Sequence, residues 1–384
     1  MNYHMGVGQK SPSEDPTPHA TGPLPCVLKY LQPGFSGTGG RIKSAPQDFI
    51  VEEMPLYQPV GSGEHLYLFI EKTGLSTEGV AEHLGRALGI RSRDIGFAGR
   101  KDSEAVSRQW FSAHLPEDPD ENRLQTDRIR VLRLSRHANK LRPGHLSGNR
   151  FEITIRGAAR PADFQTALEK LHNAGFPNYF GGQRLGVANH NALQGRRIIS
   201  QAREGHTPRG NMGRNRFFVN AYQSDLFNRV LALRLGRLES LETMLSGDLA
   251  VLHRNGAFFP VSPEELDECR ARAASGEISP SGPLFGYKTP LAGGIAGDME
   301  TQVLQQEGLS VDDFRFGGKR HAAKGERRAL RAFARDIRHQ WLPEGDKFLL
   351  MMEFTLAKGV FATSMLREIM KNDDFTGLAE EHPD

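Results

Sequence analysis

Gly96-Phe97-Ala98-Gly99-Arg100-Lys101-Asp102-Ser103-Glu104-Ala105-Val106-Ser107-Arg108-Gln109 runs from an apolar strand through Ala-Gly into a Lys-Asp pair, then into a short amphipathic piece. Taken alone, Asp102 reads most simply as a turn or N-cap aspartate whose carboxylate accepts backbone N–H bonds. The alternative is a carboxylate at the end of a buried strand, pointed into a cleft. Cations beside it would lower its pKa and keep the ionised form that a nucleophile needs.

The flanking sequence supplies a scaffold for either reading. Strands are expected over Asp48–Glu53 and His65–Lys72, the latter with Leu66, Leu68 and Ile70 on one side and Tyr67 and Phe69 on the other. Thr77–Leu88 reads as a helix with Thr77 as its N-cap and Val80, Ala81, Leu84, Ala87 and Leu88 as one stripe. Further strands follow around Ile95–Ala98, Gln109–Leu115, Arg130–Arg136 and Phe151–Arg156. A second helix starts at Pro161, buries Phe164, Leu168 and Leu171, and stops at Gly175.

Beyond Gly175 the texture changes. Asn189–Glu204 and Arg216–Leu238 read as helices, and a Gly- and Pro-rich stretch, Ser275–Gly297, interrupts the order. Strand signals return at Lys347–Leu356, followed by a helix over Ala362–Met370. The expected architecture is therefore an α/β (α+β) core, 26–176 and 334–384, split by a mainly helical insertion over 177–333. Residues 1–25, with five prolines, bury too little apolar area to order and are expected to be a disordered tail.

Composition narrows the class. At 384 residues, 38% hydrophobic and 25% charged, the chain can build a large core. Its longest apolar run near the C-terminus, Phe348–Met352, is far below the roughly 20 residues that span a bilayer. No secretory signal is visible, and Cys26 and Cys269 cannot form a disulfide framework, so a cytoplasmic protein is expected. Phosphate-loop, dinucleotide, HExxH and GxSxG patterns are absent, and no metal or cofactor is expected.

Net charge is only +3, but it is unevenly spread. Arg123–Arg156 carries nine basic residues against two acids, Gln194–Arg216 six against one, and Lys319–Arg338 eight against two. Singly, such runs are solvated faces. Together they could converge on a polyanion.

Five separated motifs then give a resemblance. They are Pro46-Gln47-Asp48-Phe49-Ile50-Val51-Glu52; Phe97-Ala98-Gly99-Arg100-Lys101-Asp102; Gly148-Asn149-Arg150-Phe151; Asn178-Tyr179-Phe180-Gly181-Gly182-Gln183-Arg184-Leu185-Gly186; and Phe361-Ala362-Thr363 with Leu366-Arg367-Glu368. In this order, from Gly37 to about Lys371, the chain closely resembles the TruD-type pseudouridine synthases.

The resemblance implies a pseudouridine synthase core with a mixed, largely antiparallel sheet and flanking helices, interrupted by the insertion. It implies conversion of a uridine in tRNA, in bacteria at position 13, to pseudouridine without cofactor or metal. Asp102 would be the nucleophile, and Phe49, Asn149, Phe151 and Phe361 would contact the substrate. By residue type and context alone, the three phenylalanines read as core and Asn149 as a turn residue. Lys101, by family match, or else Lys43 would stand close enough to Asp102 to keep it charged.

Departures from the family pattern are Gln47, Ser103, Ser107, Ala357 and Val360. Ser103 removes a positive charge that is common beside the nucleophile.

The chemistry suits the residues. The N1 glycosidic bond must break, the uracil must turn, and C5 must bond the same C1′. Aromatic rings hold a detached base by stacking worth about 1–3 kcal/mol without fixing its in-plane orientation. A base stacked in folded tRNA must also be flipped out, and phosphate contacts offset that cost. The Gln194–Arg216 and Lys319–Arg338 runs, including Arg327, Arg328 and Arg331, are assigned to those contacts. No membrane or protein partner is implied. The alternative function is an RNA-binding or RNA-folding protein that uses the same cleft without chemistry.

Overall fold

A computed structural model describes residues 27–208, 210–316 and 322–372; the tail 1–25 lies outside them. The first part of the chain supplies β1 (Phe49–Pro55), β2 (His65–Thr73), α1 (Thr77–Leu88), β3 (Gly96–Phe97), β4 (Val106–His114), β5 (Ile129–His137), β6 (Leu146–Ala158) and α2 (Phe164–Ala174). The last part supplies β13 (Ala334–Glu344), β14 (Lys347–Ala357) and α8 (Ala362–Met370). Together these strands form one eight-stranded sheet, in the order β13-β14-β6-β1-β4-β2-β5 with β3 beside β4. β1 and β4 run parallel, and the other pairs are antiparallel. The sheet is mixed and largely antiparallel, as expected.

Between them lie β7 (Phe176–Pro177), α3 (Gly182–Leu185), α4 (His190–Arg203), α5 (Met212–Leu238), β8 (Leu249–Leu252), β9 (Phe258–Pro260), α6 (Leu266–Ala274), β10 (Ile278–Leu284), α7 (Gly294–Gln306), β11 (Glu326–Ala329) and β12 (Arg331–Ala332). β11-β10-β8-β9 form a second sheet, and β12 pairs with β7. The Gly- and Pro-rich stretch that read as an interruption thus holds a buried strand, β10. Its Pro280 and Pro283 obscure the strand signal because prolines cannot donate to a ladder.

Period-2 alternation sets the two faces of the main sheet. Leu66, Leu68 and Ile70 on β2 pack with Phe111 and Ala113 of β4 and with Val80, Ala81 and Leu84 of α1. At the other end, Phe49 and Val51 of β1, Phe151 and Ile153 of β6, and Met352 and Phe354 of β14 pack against α2, α5 and α8. Each such side chain, fully buried, contributes roughly 1.5–3 kcal/mol. These are two separate apolar clusters on one face of the sheet. They are separated along the β1–β4 seam, where Val51 faces Ser107.

Polar residues occupy the inward positions near that seam. Lys72, Ser107 and Gln109 share a face with Ile70 and Phe111 and have no solvent exposure, and Glu53 is also buried. The opposite face carries a row of charges instead, in which Arg108 pairs with both Glu71 and Glu52.

Candidate active site

The loop from β3 to β4 is held above this polar seam by its main chain. Thr77 Oγ1 accepts the Lys101 N–H at 2.9 Å and donates to Gln109 Oε1 at 2.9 Å. Gln109 Nε2 in turn donates to the Gly99 carbonyl at 3.1 Å. Lys72 Nζ donates to the Asp102 carbonyl at 2.8 Å. Thr77 was expected to cap α1. The cap is Ser76, whose hydroxyl accepts the Gly79 N–H at 3.0 Å, so Thr77 sits inside the first turn with its hydroxyl turned to the loop.

The Asp102 carboxylate combines both readings of the sequence. Oδ1 accepts the Glu104 N–H at 2.9 Å, as a turn aspartate does, while Oδ2 pairs with Lys43 Nζ. Each oxygen retains a lone pair, because a carboxylate has about four acceptor sites and these contacts use two. Its side chain is 22% exposed and so remains reachable. Burial pushes its pKa up. The Lys43 and Glu104 hydrogen bonds and the charges of Lys43 and Lys72 outweigh that, leaving it below the usual carboxylate value. Lys43 has a positive φ of 55°, and its ammonium lies 5.0 Å from the Phe49 ring centroid.

Lys101, expected by family match to be the charge partner of Asp102, is turned away from it. Its Nζ donates to Glu53 Oε2 at 3.1 Å and to Asn149 Oδ1 at 2.8 Å, with side-chain exposures of 5% for Lys101 and 1% for Glu53. A buried ammonium requires acceptors, and Glu53 and Asn149 face each other across β1 and β6 to provide two. Burial raises the Glu53 pKa despite Lys101 beside it.

The aromatic residues separate into two kinds. Phe49 and Phe151, 5% and 7% exposed, meet edge-to-face at 6.1 Å, and Phe151 stacks on Phe354 at 5.4 Å. They belong to the core cluster, with Phe49 joined to the site through Lys43. Phe361 is half-buried at the start of α8, 5.7 Å from Phe180.

Two of the expected RNA-backbone arginines are structural. Arg327 is fully buried against Glu300, at 2.8 Å, and Ser281. Arg331 is fully buried and donates to Ser279 Oγ and to the carbonyls of Ala174, Ala273 and Ile278. Counting charge along the run could not show that this segment forms strands whose side chains are drawn between layers. Arg328 alone of the three forms no ion pair among the described residues and lies 4.2 Å over the Phe180 ring.

Lys72, Thr77, Gln109 and Glu53 were missed as site residues. For Lys72 the signal was its parity, which repeats that of Leu66, Leu68 and Ile70 and so turns a charge inward. Among the described residues no group of three His, Cys, Asp or Glu side chains is placed to hold a metal. No described helix is long and apolar enough to cross a membrane.

A family model described as tRNA pseudouridine synthase D (TruD) matches residues 28–206 and 212–369. The tRNA pseudouridine synthase D of Anaeromyxobacter dehalogenans is 41% identical over 354 residues, covering 90% of this chain and 97% of its own. That of Thermus thermophilus is 39% identical over 360 residues, covering 92% and 94%. A crystal structure of a TruD protein from Methanosarcina mazei has a TM-score of 0.74 at 24% identity, over 91% of this chain and 98% of its own, so the two share a fold.

Proposed function

We propose, from the premise that this chain belongs to the TruD family of tRNA pseudouridine synthases, that it converts uridine 13 of cytoplasmic tRNA to pseudouridine with Asp102 as the nucleophile. The observation that carries this reading is the Asp102 carboxylate itself. It is held anionic by Lys43, fixed by the Glu104 N–H, and still reachable beside a polar gap between two apolar clusters.

An Asp102 oxygen adds to the bound nucleoside, at C1′ of the sugar or C6 of the base. The C1′–N1 bond breaks, the uracil turns, and C5 bonds C1′. C5 then loses its proton, N1 carries one, and the carboxylate leaves unchanged, so no net redox change occurs. Asn149 still has its amide NH₂ to offer a uracil carbonyl, since its Oδ1 is engaged by Lys101. Phe361 supplies a ring at the rim, and Phe49 and Phe151 form the apolar floor. Residues 177–333 act as an insertion that grips RNA, between core parts 26–176 and 334–384.

The test is incubation with unmodified tRNA transcripts followed by carbodiimide mapping of pseudouridine. A single stop at position 13 with the native protein is expected. Asp102→Ala and Asp102→Asn are expected to yield no product while binding tRNA within a few-fold of the native protein. Turnover near the native rate in either variant overturns the nucleophile assignment. Tight tRNA binding with no product from the native protein would leave an RNA-binding protein only.

A further inference from the structure

Most buried arginines in this molecule are neutralised. Arg229 pairs with Asp225 and Glu307, Arg234 with Asp248, and Arg327 with Glu300. Arg184 and Arg328 are different. Both are partly buried, and among the described residues neither forms an ion pair. Arg184 makes one long side-chain hydrogen bond, from Nε to Ser224 Oγ at 3.4 Å. Arg328 uses only Nη2, toward Asn178 Oδ1 at 2.5 Å and the Gly359 carbonyl at 3.0 Å. Its Nε is buried without a partner.

The two guanidiniums are neighbours. Ser224 beneath Arg184 and Phe227, whose ring lies 5.7 Å from Arg328, are one turn apart on α5. Asn228 on the same turn clamps the Phe180 main chain by two hydrogen bonds of 2.9 Å. Burial, helped by the nearby Arg184 charge, lowers the Arg328 pKa to about 10, which still leaves Arg328 cationic at neutral pH. Two desolvated like charges without a counter-ion are costly, and an arriving anion removes that cost. The location matters as well. Phe180 packs against both Arg328 and Phe361, and Gly181 sits against Thr363 in the first turn of α8. Phe361, the N-cap of α8, has no side chain able to cap that turn, so its N–H groups add to the positive field.

We propose that Arg184 and Arg328 form a phosphodiester-binding site that holds the RNA backbone beside the nucleotide taken up next to Phe361. This rests on the pseudouridine synthase reading for the identity of the RNA. Guanidinium forks match phosphate oxygens in pairs, and the unused Nη groups of Arg184 and Nη1 of Arg328 are available for that.

The test combines salt-dependent binding of unmodified tRNA transcript with single neutral methylphosphonate linkages placed around uridine 13. For the native protein, neutralising one linkage is expected to weaken binding about tenfold. Arg184→Gln and Arg328→Gln are each expected to flatten the salt slope by part of the roughly 0.7 that one single-strand phosphate contact contributes, and to shrink the penalty for neutralising that linkage. Should Arg328→Gln unfold through loss of its Asn178 and Gly359 bonds, Arg184→Gln and the native protein's linkage scan decide. Unchanged slopes, or a native protein indifferent to every linkage tested, overturn the site. Pseudouridine formed without such coupling sinks the anion site alone. Coupling without pseudouridine sinks the isomerase reading and leaves the site standing.

Discussion

Lys72 Nζ donates to the main-chain carbonyl of Asp102 from a side chain with no solvent exposure. It also donates to the Leu75 carbonyl at 2.5 Å, so one ammonium ties the end of β2 to the loop that carries Asp102. Displacing a reacting group by about 1 Å costs on the order of 100-fold in rate. Lys72→Met is therefore expected to lower single-turnover rate by about that factor with tRNA affinity unchanged; a rate near native would show that the loop holds without it.

The same lysine gives a pH signature. Burial lowers its pKa to about 8, below its ordinary value of 10.5. Between those values the unfolded chain binds more protons than the folded one, so stability attributable to this group rises with pH across that window. Native protein is expected to gain stability relative to Lys72→Met between pH 8 and 10.5 in urea titrations. Parallel curves for the two proteins would contradict a buried, charged Lys72.

Lys43 governs the acid side. With its help the Asp102 pKa lies below the ordinary value, so activity is expected to persist in acid until pH falls through that depressed folded pKa. The stabilisation from this pairing is present above the unfolded aspartate pKa and lost over the same fall. In Lys43→Met, burial acts against a weaker opposition and the acid limb of the pH–rate profile moves upward. An unmoved limb would mean that Lys43 does not set the charge state.

Breaking the Glu53–Lys101 pair leaves one buried charge alone, a loss of about 3–5 kcal/mol. Lys101→Met should show that loss in denaturant unfolding, and Glu53→Gln combined with Lys101→Met should recover much of it. Additive losses in the double variant would show that the two side chains act independently.

Phe151→Ala empties part of the core and is expected to cost about 3–5 kcal/mol of stability. Phe361→Ala, at a half-buried rim position, should cost less stability and instead slow turnover by the equivalent of about 1–3 kcal/mol of stacking. Equal stability losses in the two would place both rings in the core.

Much of the main sheet was legible because half-buried strands alternate. The phase of β2 and the stripe of α1 were fixed by their own residues, and the Lys-Asp turn by its place after β3. The orientation of Lys101 was not legible. It depends on Glu53 and Asn149, which come from two distant strands and are brought together only by register. Arg327 and Arg331 misled for a related reason: a count of basic residues carries no information about which layer a strand's side chains enter. β10 was hidden because its ladder partners β8 and β11, rather than its own composition, make it a strand. The inward-pointing Lys72 was visible in principle, as a charge at an apolar phase.

The main sheet is also completed by strands that follow the middle segment. β14 lies between β13 and β6, pairing Leu356 with Asn149, and Glu368 on α8 accepts the Leu31 N–H. During synthesis, then, a nascent chain on the ribosome presents the β6 edge bare while the whole middle segment is still being made. The Asp102 loop can form early, but β14 follows only after the whole middle segment. Bare edges invite pairing with other chains, and contacts so distant in sequence assemble slowly. Premature release upstream of β14 would thus produce an inactive, self-associating fragment rather than a partially working enzyme.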